Sequence, residues 1–263
     1  MNISVIGGGV MGSIIAEAIS KQFKNINLVV SDHNPKKITF LKKSCKNVFI
    51  TNNNVEAIKD AKIIILAIKP QSFGEFSREV KGQFNNKQLV ISIMAGVKIK
   101  TIKKKLSVGK VVRAMPNLGA KINQSMTVWT ANKEVDKSSK KFVEKIFKAF
   151  GEQMFVQNEN MIDAATAVSG SGPGFFFYLI EEWQKAAEKI GFNKAEARKL
   201  VEQTVMAASN LLKTGLNAEI MRKQVTSKAG TTEAGLNKMK QYAKEMWINT
   251  LKYSHQRAKE LAK

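Results

Sequence analysis

A glycine-rich segment at residues 7–12 has the residue types and the spacing that bind a diphosphate. It follows a short apolar run at residues 3–6 and precedes a helix-compatible stretch at residues 13–21, which gives the order strand, tight turn, helix. Gly7 permits the turn, Gly9 lets the backbone approach a pyrophosphate, and Gly12 lets the helix pack on the strand. The helix N-terminus then directs unpaired N–H groups at the phosphates. The segment predicts a dinucleotide site, and a purely structural glycine turn is the alternative.

Asp32 ends the next apolar run and bears on the identity of the dinucleotide. An acidic residue at this point typically accepts a hydrogen bond from the adenosine ribose 2′-hydroxyl and repels a 2′-phosphate, which favours NADH. His33, Lys36 and Lys37 follow it and soften that repulsion, which favours NADPH. A role for Asp32 as a simple turn former is the alternative.

Three further loops have residues suited to ligand binding. Residues 67–70 (Ala-Ile-Lys-Pro) end a buried run at the strand edge where open α/β sheets bind ligands, although an ordinary strand exit has the same composition. Residues 169–173 (Ser-Gly-Ser-Gly-Pro) offer hydroxyls and amides at a helix start, or form a capped interdomain linker. Residues 226–232 open the last helix and predict an anion-binding nest for a carboxylate, with simple helix capping as the alternative.

The sequence lacks the residue patterns that metal-dependent and nucleophilic catalysis require. The chain has two histidines, and no His, Cys or Asp cluster has the spacing of metal ligands. Gly170-Ser171-Gly172 is not a nucleophile elbow, because it precedes a helix and lacks the Gly-x-Ser-x-Gly pattern. Cys45, the single cysteine, lies in a lysine-rich stretch and has no predicted role; a reducing compartment fits this cysteine content. A nicotinamide enzyme needs no such residues, since the cofactor supplies the hydride.

The first half of the chain alternates apolar runs with amphipathic stretches, which predicts βαβ units, an α/β fold and a parallel sheet. The predicted helices include residues 35–43 and 99–106. The predicted strands are residues 3–6, 28–30, 49–51, 63–68, 89–93 and 111–114, with a further one at 126–130.

From about residue 160 the pattern changes to long helical periodicities, which predicts two domains, residues 1–160 and residues 161–263. Helices are predicted at 174–190, from Asn193 with Glu196 as a capping box, at 219–225 and at 232–261. This helical half is small for its apolar residues, among them Phe175, Trp183 and Trp247. We therefore expect a homodimer that buries them, with an internal core as the alternative.

Length, charge and hydropathy bear on whether the chain binds nucleic acid, spans a membrane or is secreted. The chain has 263 residues and a net charge of +22, but its basic residues are mainly lysines spread along the whole sequence. Nucleic-acid readers favour clustered arginines, so we expect no nucleic-acid partner, although a non-catalytic nucleotide- or nucleic-acid-binding protein stays the alternative. No apolar run reaches the roughly 18 residues of a membrane span. A strand at the N-terminus leaves no room for a signal peptide, so we expect a cytoplasmic protein with no membrane partner.

These loops, in this order, resemble those of pyrroline-5-carboxylate reductases over nearly the whole chain. The Arg-Ala-Met-Pro-Asn and Ser-Gly-Ser-Gly-Pro stretches make the resemblance specific. The matching stretches are residues 5–12, 67–71, 92–97, 113–117, 163–173, 225–227 and 230–232.

The resemblance implies an N-terminal Rossmann-like dinucleotide-binding domain followed by an all-α dimerisation domain, with dimers that often assemble into decamers. It implies reduction of 1-pyrroline-5-carboxylate to L-proline, usually with NADPH. The residues that match the family's cofactor contacts are Gly7, Gly9, Val10, Met11, Gly12, Asp32, Asn54, Ala67, Lys69, Pro70, Met94, Ala95 and Gly96. The residues that match its substrate site are Ser169, Ser171, Gly172, Pro173, Gly230, Thr231 and Thr232.

Thr232 is the predicted catalytic residue, because its hydroxyl can hydrogen-bond the ring nitrogen of the substrate while the amides of residues 230–232 hold the carboxylate. The chain departs from the family pattern just before this point. Lys228 and Ala229 replace a Pro-Gly pair, Asn217-Ala218 replaces a His-Pro pair, and Lys223 replaces an Asp. The loss of Pro and Gly removes preorganisation and a residue suited to positive φ. A reductase of another cyclic imine or of a small acid is therefore the alternative enzyme.

Overall fold

The computed structural model describes residues 1–44 and 48–261, so Cys45 lies outside the described residues. The chain forms two compact units. The first consists of Met1–Ser171 and the segment from Ser254 on, and the second is Gly172–Tyr253. The first unit thus extends past residue 160, where we predicted a domain boundary. That boundary stays a prediction, because compact units and domains need not divide at the same residue.

The first unit contains an eight-stranded sheet with the order β3-β2-β1-β4-β5-β6-β7-β8. This doubly wound order places β1 and β4 side by side at the centre, where the direction of winding reverses. The strands are β1 Asn2–Ile6, β2 Asn27–Ser31, β3 Val48–Thr51, β4 Ile63–Leu66, β5 Leu89–Ser92, β6 Lys110–Met115, β7 Ser125–Ala131 and β8 Gly151–Phe155.

The expected parallel pairing fails at one place, because β7 runs antiparallel to β6. The connection between them, residues 116–124, holds only a short 3₁₀ turn, Leu118–Ile122. A parallel neighbour needs a crossover of a dozen or more residues, so this short link returns the chain in the opposite direction. Strand β8 was not predicted. It is a largely exposed edge strand whose sequence, Gly-Glu-Gln-Met-Phe, lacks a continuous apolar run.

The central strands are buried on both faces, which explains the unbroken apolar run of β4. In β4, Ile63 and Ile65 belong to one hydrophobic cluster, which also contains Ile15 of the helix Val10–Gln22. Ile64 and Leu66 belong to the cluster on the other face. The helices of this unit are α1 Val10–Gln22, α2 Pro35–Ser44, α3 Asn54–Lys59, α4 Phe73–Glu79, α5 Ile99–Leu106, α6 Lys137–Lys148 and α7 Asn160–Ala165, and a π-helical turn, Thr166–Gly170, follows α7.

The second unit is helical, as predicted. It comprises α8 Gly172–Lys189, α9 Lys194–Leu211, α10 Ala218–Gln224 and most of α11 Thr231–Glu260. The predicted capping box is confirmed, because Asn193 and Glu196 exchange side-chain to backbone hydrogen bonds at the start of α9. Many large apolar side chains are exposed in the single chain, including those of Phe177, Trp183 and Trp247. No helix among the described residues has both the length and the apolarity that a bilayer span requires.

Candidate functional site

A cleft of about 570 Å³ lies where the glycine turn and the loops after β2, β4 and β5 come together. It has the position expected for ligands in an open α/β sheet, at the carboxyl ends of the strands and beside the point where the winding reverses. Gly12 and Gly96 do not line this cleft. The predicted cofactor residues that do are Gly7, Gly9, Val10, Met11, Asp32, Asn54, Ala67, Lys69, Pro70, Met94 and Ala95.

Each of the three motif glycines is needed for a different structural reason. Gly7 has φ +103°, and a Cβ there would lie 2.7 Å from the Ala67 carbonyl oxygen. A Cβ on Gly12 would overlap the carbonyl oxygen of Gly7, so Gly12 serves the packing of α1 against the turn. A Cβ on Gly9, by contrast, would have no protein atom within 4 Å. Gly9 therefore borders open space, through which a ligand can approach the backbone.

The start of α1 fits a diphosphate. Gly9 is the N-cap, no side chain of the described residues caps the helix, and its first turn contains no acidic residue. The first amides of a helix lack intrahelical acceptors, and the helix dipole adds partial positive charge at this end. The amides that follow Gly9 are the groups that would hold the diphosphate of a dinucleotide.

Asp32 directs its carboxylate toward the turn. Oδ2 accepts a 2.8 Å hydrogen bond from the Gly8 amide, and Oδ1 accepts one of 2.8 Å from the Asn34 amide. Lys37 Nζ lies 3.1 Å from Oδ2, and the Asp32 side chain is only 9% exposed. Asp32 lines the cleft and at the same time fixes the glycine turn, so both roles that its sequence position suggested are compatible with its contacts.

Asn54 belongs to a polar network in the same cleft. Its Oδ1 accepts a 2.6 Å hydrogen bond from Ser31 Oγ, and its Nδ2 donates one of 2.8 Å to Glu79 Oε2. His33 Nε2 lies 3.0 Å from the same Nδ2. Ser31, His33 and Glu79 all line the cleft; the sequence placed His33 beside the cofactor's 2′-phosphate but assigned neither Ser31 nor Glu79 to the site. Glu79 carried no signal, because it lies in an ordinary amphipathic helix.

Ser169 and Ser171, two predicted substrate residues, lie at the end of the first unit. Ser169 is in the π-helical turn, and its hydroxyl donates a 3.1 Å hydrogen bond to the Ala165 carbonyl. The Ser171 amide donates to the Thr166 carbonyl at 2.8 Å, which closes the wide turn. Such single π-turns occur often at functional sites.

The other predicted substrate residues belong to the helical unit, whereas the cofactor cleft belongs to the first unit. Gly172 and Pro173 begin α8, and Gly230, Thr231 and Thr232 lie at the start of α11, where both threonines are exposed. In the turn before α11, Ala229 has φ +56°, the left-handed conformation that a glycine would adopt without strain. The Ala229 amide donates a 2.8 Å hydrogen bond to Glu233 Oε2, so an amide of this turn already binds a carboxylate.

The described residues offer neither a cluster of metal ligands nor an unpaired acid beside the predicted substrate turn. Across residues 1–44 and 48–261, no three His, Cys, Asp or Glu side chains are grouped as metal ligands would be. A deeply buried ion pair joins Arg113 to Asp163, beside the predicted substrate turn. Arg113 also contacts Glu159, and neither acid is free to act as an exposed general acid.

The doubly wound sheet, the glycine turn and the cleft over the strand ends define a Rossmann-type dinucleotide-binding protein. A family model described as "NADP oxidoreductase coenzyme F420-dependent" matches residues 2–96 of this part. A second model, "Pyrroline-5-carboxylate reductase dimerisation", matches residues 159–261.

Relatives match over the full length of the chain. A pyrroline-5-carboxylate reductase from Synechocystis is 33% identical, with 100% of this chain and 99% of that protein covered. Pyrroline-5-carboxylate reductase 1 of Bacillus subtilis is 33% identical over 98% of this chain and 86% of its own length. This chain belongs to the pyrroline-5-carboxylate reductase family.

Solved structures agree with this assignment. A pyrroline-5-carboxylate reductase from Coxiella burnetii superposes with a TM-score of 0.91 at 35% identity, over 100% of this chain and 98% of that one. The Plasmodium falciparum pyrroline carboxylate reductase, solved with NADP bound, gives a TM-score of 0.86 at 25% identity over 100% and 98%. The α/β fold with a helical C-terminal half, predicted from the sequence, is confirmed.

Proposed function

We propose that this protein reduces 1-pyrroline-5-carboxylate to L-proline with NADPH (or NADH), the last step of proline biosynthesis. The observation that carries the proposal is the cleft in the first unit, which gathers residues from four separate segments of the family pattern. Gly9, Asn54, Lys69 and Met94 represent those segments. Full-length similarity to named pyrroline-5-carboxylate reductases supports the substrate.

The residues that would hold the cofactor follow from the cleft. The amides after Gly9 take the diphosphate, and the loops at Asn54, Lys69 and Met94 border the rest of the dinucleotide. When bound, the nicotinamide supplies the hydride. We assign no cofactor contact to Gly12 or to Gly96 on the basis of the cleft, and their predicted binding role rests on the resemblance alone.

The protein's own task is then placement. A protonated cyclic imine is already electrophilic at the carbon that is reduced, so no strong protein acid is needed. The Gly230 amide already donates a 3.1 Å hydrogen bond to the Ser227 carbonyl, so the amides of Thr231 and Thr232 hold the substrate carboxylate, in the way that the Ala229 amide holds Glu233. The Thr232 hydroxyl hydrogen-bonds the ring nitrogen and stabilises the amine that forms. Ser169, Ser171, Gly172 and Pro173 line the substrate pocket and exclude water, which favours the reactive geometry.

The proposed assembly is a homodimer formed through the helical unit, with a decamer as a higher assembly. The dimerisation model that matches residues 159–261 supports the dimer. The exposed side chains of Phe177, Trp183 and Trp247 support it as well, because exposed large apolar side chains often mark a protein–protein interface. We also propose a cytoplasmic location and no nucleic-acid or membrane partner.

A second candidate is a reductase of another cyclic imine or of a small acid. Lys228 and Ala229 favour it, because they replace the Pro-Gly pair of the family pattern in the turn that would hold the carboxylate. The shape of this turn sets the ring size and the carboxylate position that the site accepts. Both candidate functions use the same cofactor site, and they differ only in the substrate that the turn before α11 accepts.

The test is a rate comparison on the purified protein. The substrates are the five-membered imine 1-pyrroline-5-carboxylate and its six-membered homologue, each with NADPH and with NADH. We expect turnover of the five-membered ring with at least one cofactor. Faster turnover of the six-membered ring would favour the second candidate, and no turnover of any pair would reject both.

A further inference from the structure

The Ser169 carbonyl has lost the donor that a regular helix would provide. In an α-helix, the carbonyl of residue i accepts from the N–H of residue i+4. Residue 173 is a proline, which has no N–H. Pro173 therefore removes the i+4 donor that an α-helix would give the Ser169 carbonyl, and a partly buried carbonyl without a partner is costly.

Asn117 provides the missing donor from outside the helix. Its Nδ2 donates a 3.0 Å hydrogen bond to the Ser169 carbonyl. Its Oδ1 accepts a 3.0 Å hydrogen bond from the Gly119 amide, and its own amide donates to Ser125 Oγ at 3.1 Å. Since both ends of the side-chain amide are engaged, an aspartate would keep the acceptor and lose the donor.

Two residues of β6 hold the same segment. Arg113 is fully buried and pairs with Asp163 in α7 and with Glu159 just before it. Met115 packs against Gly170, where an added Cβ would lie 3.4 Å from its Cγ. Residues 113, 115 and 117 are spaced by two, as residues on one face of a strand are. The end of β6 and the turn after it thus fasten α7 and the π-turn at three points.

We propose that Asn117 is a positioning residue for the turn at residues 169–173, and that it acts as a pair with Pro173. The proposal rests on the proposed function, because it takes this turn to line the substrate pocket. Pro173 frees the Ser169 carbonyl, and Asn117 binds it, which fixes the wide turn instead of a continuous helix. The Arg-Ala-Met-Pro-Asn stretch thus supplies the donor, Asn117, and the Ser-Gly-Ser-Gly-Pro stretch supplies the carbonyl that it binds.

Measuring kcat/KM for Asn117→Asp and Asn117→Ala tests the positioning role of Asn117. Asn132→Asp is the matched control, since Asn132 also bridges two backbone groups, at 2.7 Å to the Gly109 carbonyl and 2.9 Å from the Val111 amide. We expect kcat/KM for the imine to fall about tenfold or more in both Asn117 variants, because small displacements of a reactive site are costly. The Kd for NADPH should stay within about twofold, and Asn132→Asp should leave both quantities within that range.

The double variant Asn117→Asp/Pro173→Ala tests the pairing. An alanine in place of Pro173 has an N–H that can take over the Ser169 carbonyl, so the two substitutions together should cost less than the product of their separate effects. Strictly multiplicative effects, or an unchanged kcat/KM in the Asn117 variants of an active enzyme, would overturn the proposal.

Amide hydrogen exchange separates this proposal from the proposed function, because it needs no turnover. The peptide that spans residues 166–172 should exchange about fivefold faster or more in Asn117→Asp and should be unaffected in Asn132→Asp. Unchanged exchange in Asn117→Asp would overturn the proposal even in an active enzyme. Faster exchange in a protein that reduces no imine would support the tether and reject the reductase.

Discussion

The Gly8 amide donates a 2.8 Å hydrogen bond to Asp32 Oδ2, which joins the glycine turn after β1 to the end of β2. Gly8 is buried, and the Asp32 carboxylate also binds the Asn34 amide and faces Lys37. The acid that sequence position assigns to the cofactor is thus part of the scaffold that shapes the cofactor site. Its removal should affect both stability and cofactor choice.

The first prediction concerns the stability of the turn. Asp32→Ser should lower the free energy of unfolding by about 1–3 kcal/mol, because the buried Gly8 amide loses its acceptor. Lys37→Ala is the control, since it removes the ion pair and leaves the amide satisfied, and its cost should be about 0–1 kcal/mol. Urea denaturation measures both. Equal losses in the two variants would mean that the ion pair, and not the hydrogen bond, is what matters.

The same Asp32→Ser variant should also shift cofactor preference toward NADPH. Loss of the carboxylate removes its repulsion of a 2′-phosphate, and about 1.4 kcal/mol of such repulsion changes the ratio of kcat/KM values about tenfold. The ratio is measured by parallel assays with NADPH and NADH. If it does not move, Asp32 serves the turn alone.

The strained alanine before α11 gives the second prediction. Ala229→Gly should raise the free energy of unfolding by about 0.5 kcal/mol, because the left-handed conformation costs an alanine about 1–2 kcal/mol and glycine's added chain entropy offsets only part of that. Ala234→Gly, within α11, should instead lower it by about 1 kcal/mol. A loss at position 229 as large as that at 234 would show that the turn is not strained.

Thr232 carries the third prediction, on catalysis. Thr232→Ala should reduce kcat/KM for the imine by an amount equivalent to about 1–3 kcal/mol, the value of a hydrogen bond that closes over the substrate. Thr232→Ser should retain most of the activity, since it keeps the hydroxyl. Thr39→Ala, at an exposed helical threonine of α2, is the control. Full activity in Thr232→Ala would remove this residue from the site.

The fourth prediction is a pH dependence at the N-cap of α6. The hydrogen bond from Lys110, together with those from Ser138 and Ser139, holds the pKa of Asp136 far below its ordinary value of 3.8. A depressed pKa means that the ionised cap stabilises the fold above pH 3.8 and that this contribution declines as the pH falls below it. Asp136→Ala should therefore unfold at a lower temperature than the parent protein at pH 7.

The difference in unfolding temperature between the parent protein and Asp136→Ala should shrink progressively as the pH is lowered from about 4 toward about 2. Asn53→Ala is the control, because Asn53 caps α3 with a neutral side chain, and its effect should not follow this trend. A constant difference for Asp136→Ala across this range would show that the charge of the cap is irrelevant.

Much of the fold was predictable because its signals are local. The unbroken apolar run of β4 follows from burial on both faces, and the capping box at Asn193 depends only on residues close in sequence. β8 was missed because an exposed edge strand needs no apolar run. β7 was predicted as a strand, but its antiparallel direction was missed, although the short link before it carried the signal.

The candidate site was predictable as a set of segments, and its internal contacts were not. The glycine turn and the loops at Asn54 and Lys69 lie together in one cleft. The Asp32 bond to Gly8 depends on how closely two strand ends approach in the folded chain. The Asn117 bond to Ser169 joins residues 52 positions apart, and only the missing N–H of Pro173 hinted that such a partner was needed.

The proposed reductase requires that a pyridine dinucleotide binds with its diphosphate over Gly9. Calorimetric titration of NADPH into the parent protein, Gly9→Ala and Gly109→Ala tests this binding mode, because an added Cβ meets no protein atom within 4 Å at either glycine. We expect the parent and Gly109→Ala to bind alike. Gly9→Ala should keep the unfolding temperature of the parent and bind about tenfold more weakly or worse, because its methyl group occupies the phosphate's approach. Equal binding by all three proteins, or no binding by the parent, would contradict this binding mode.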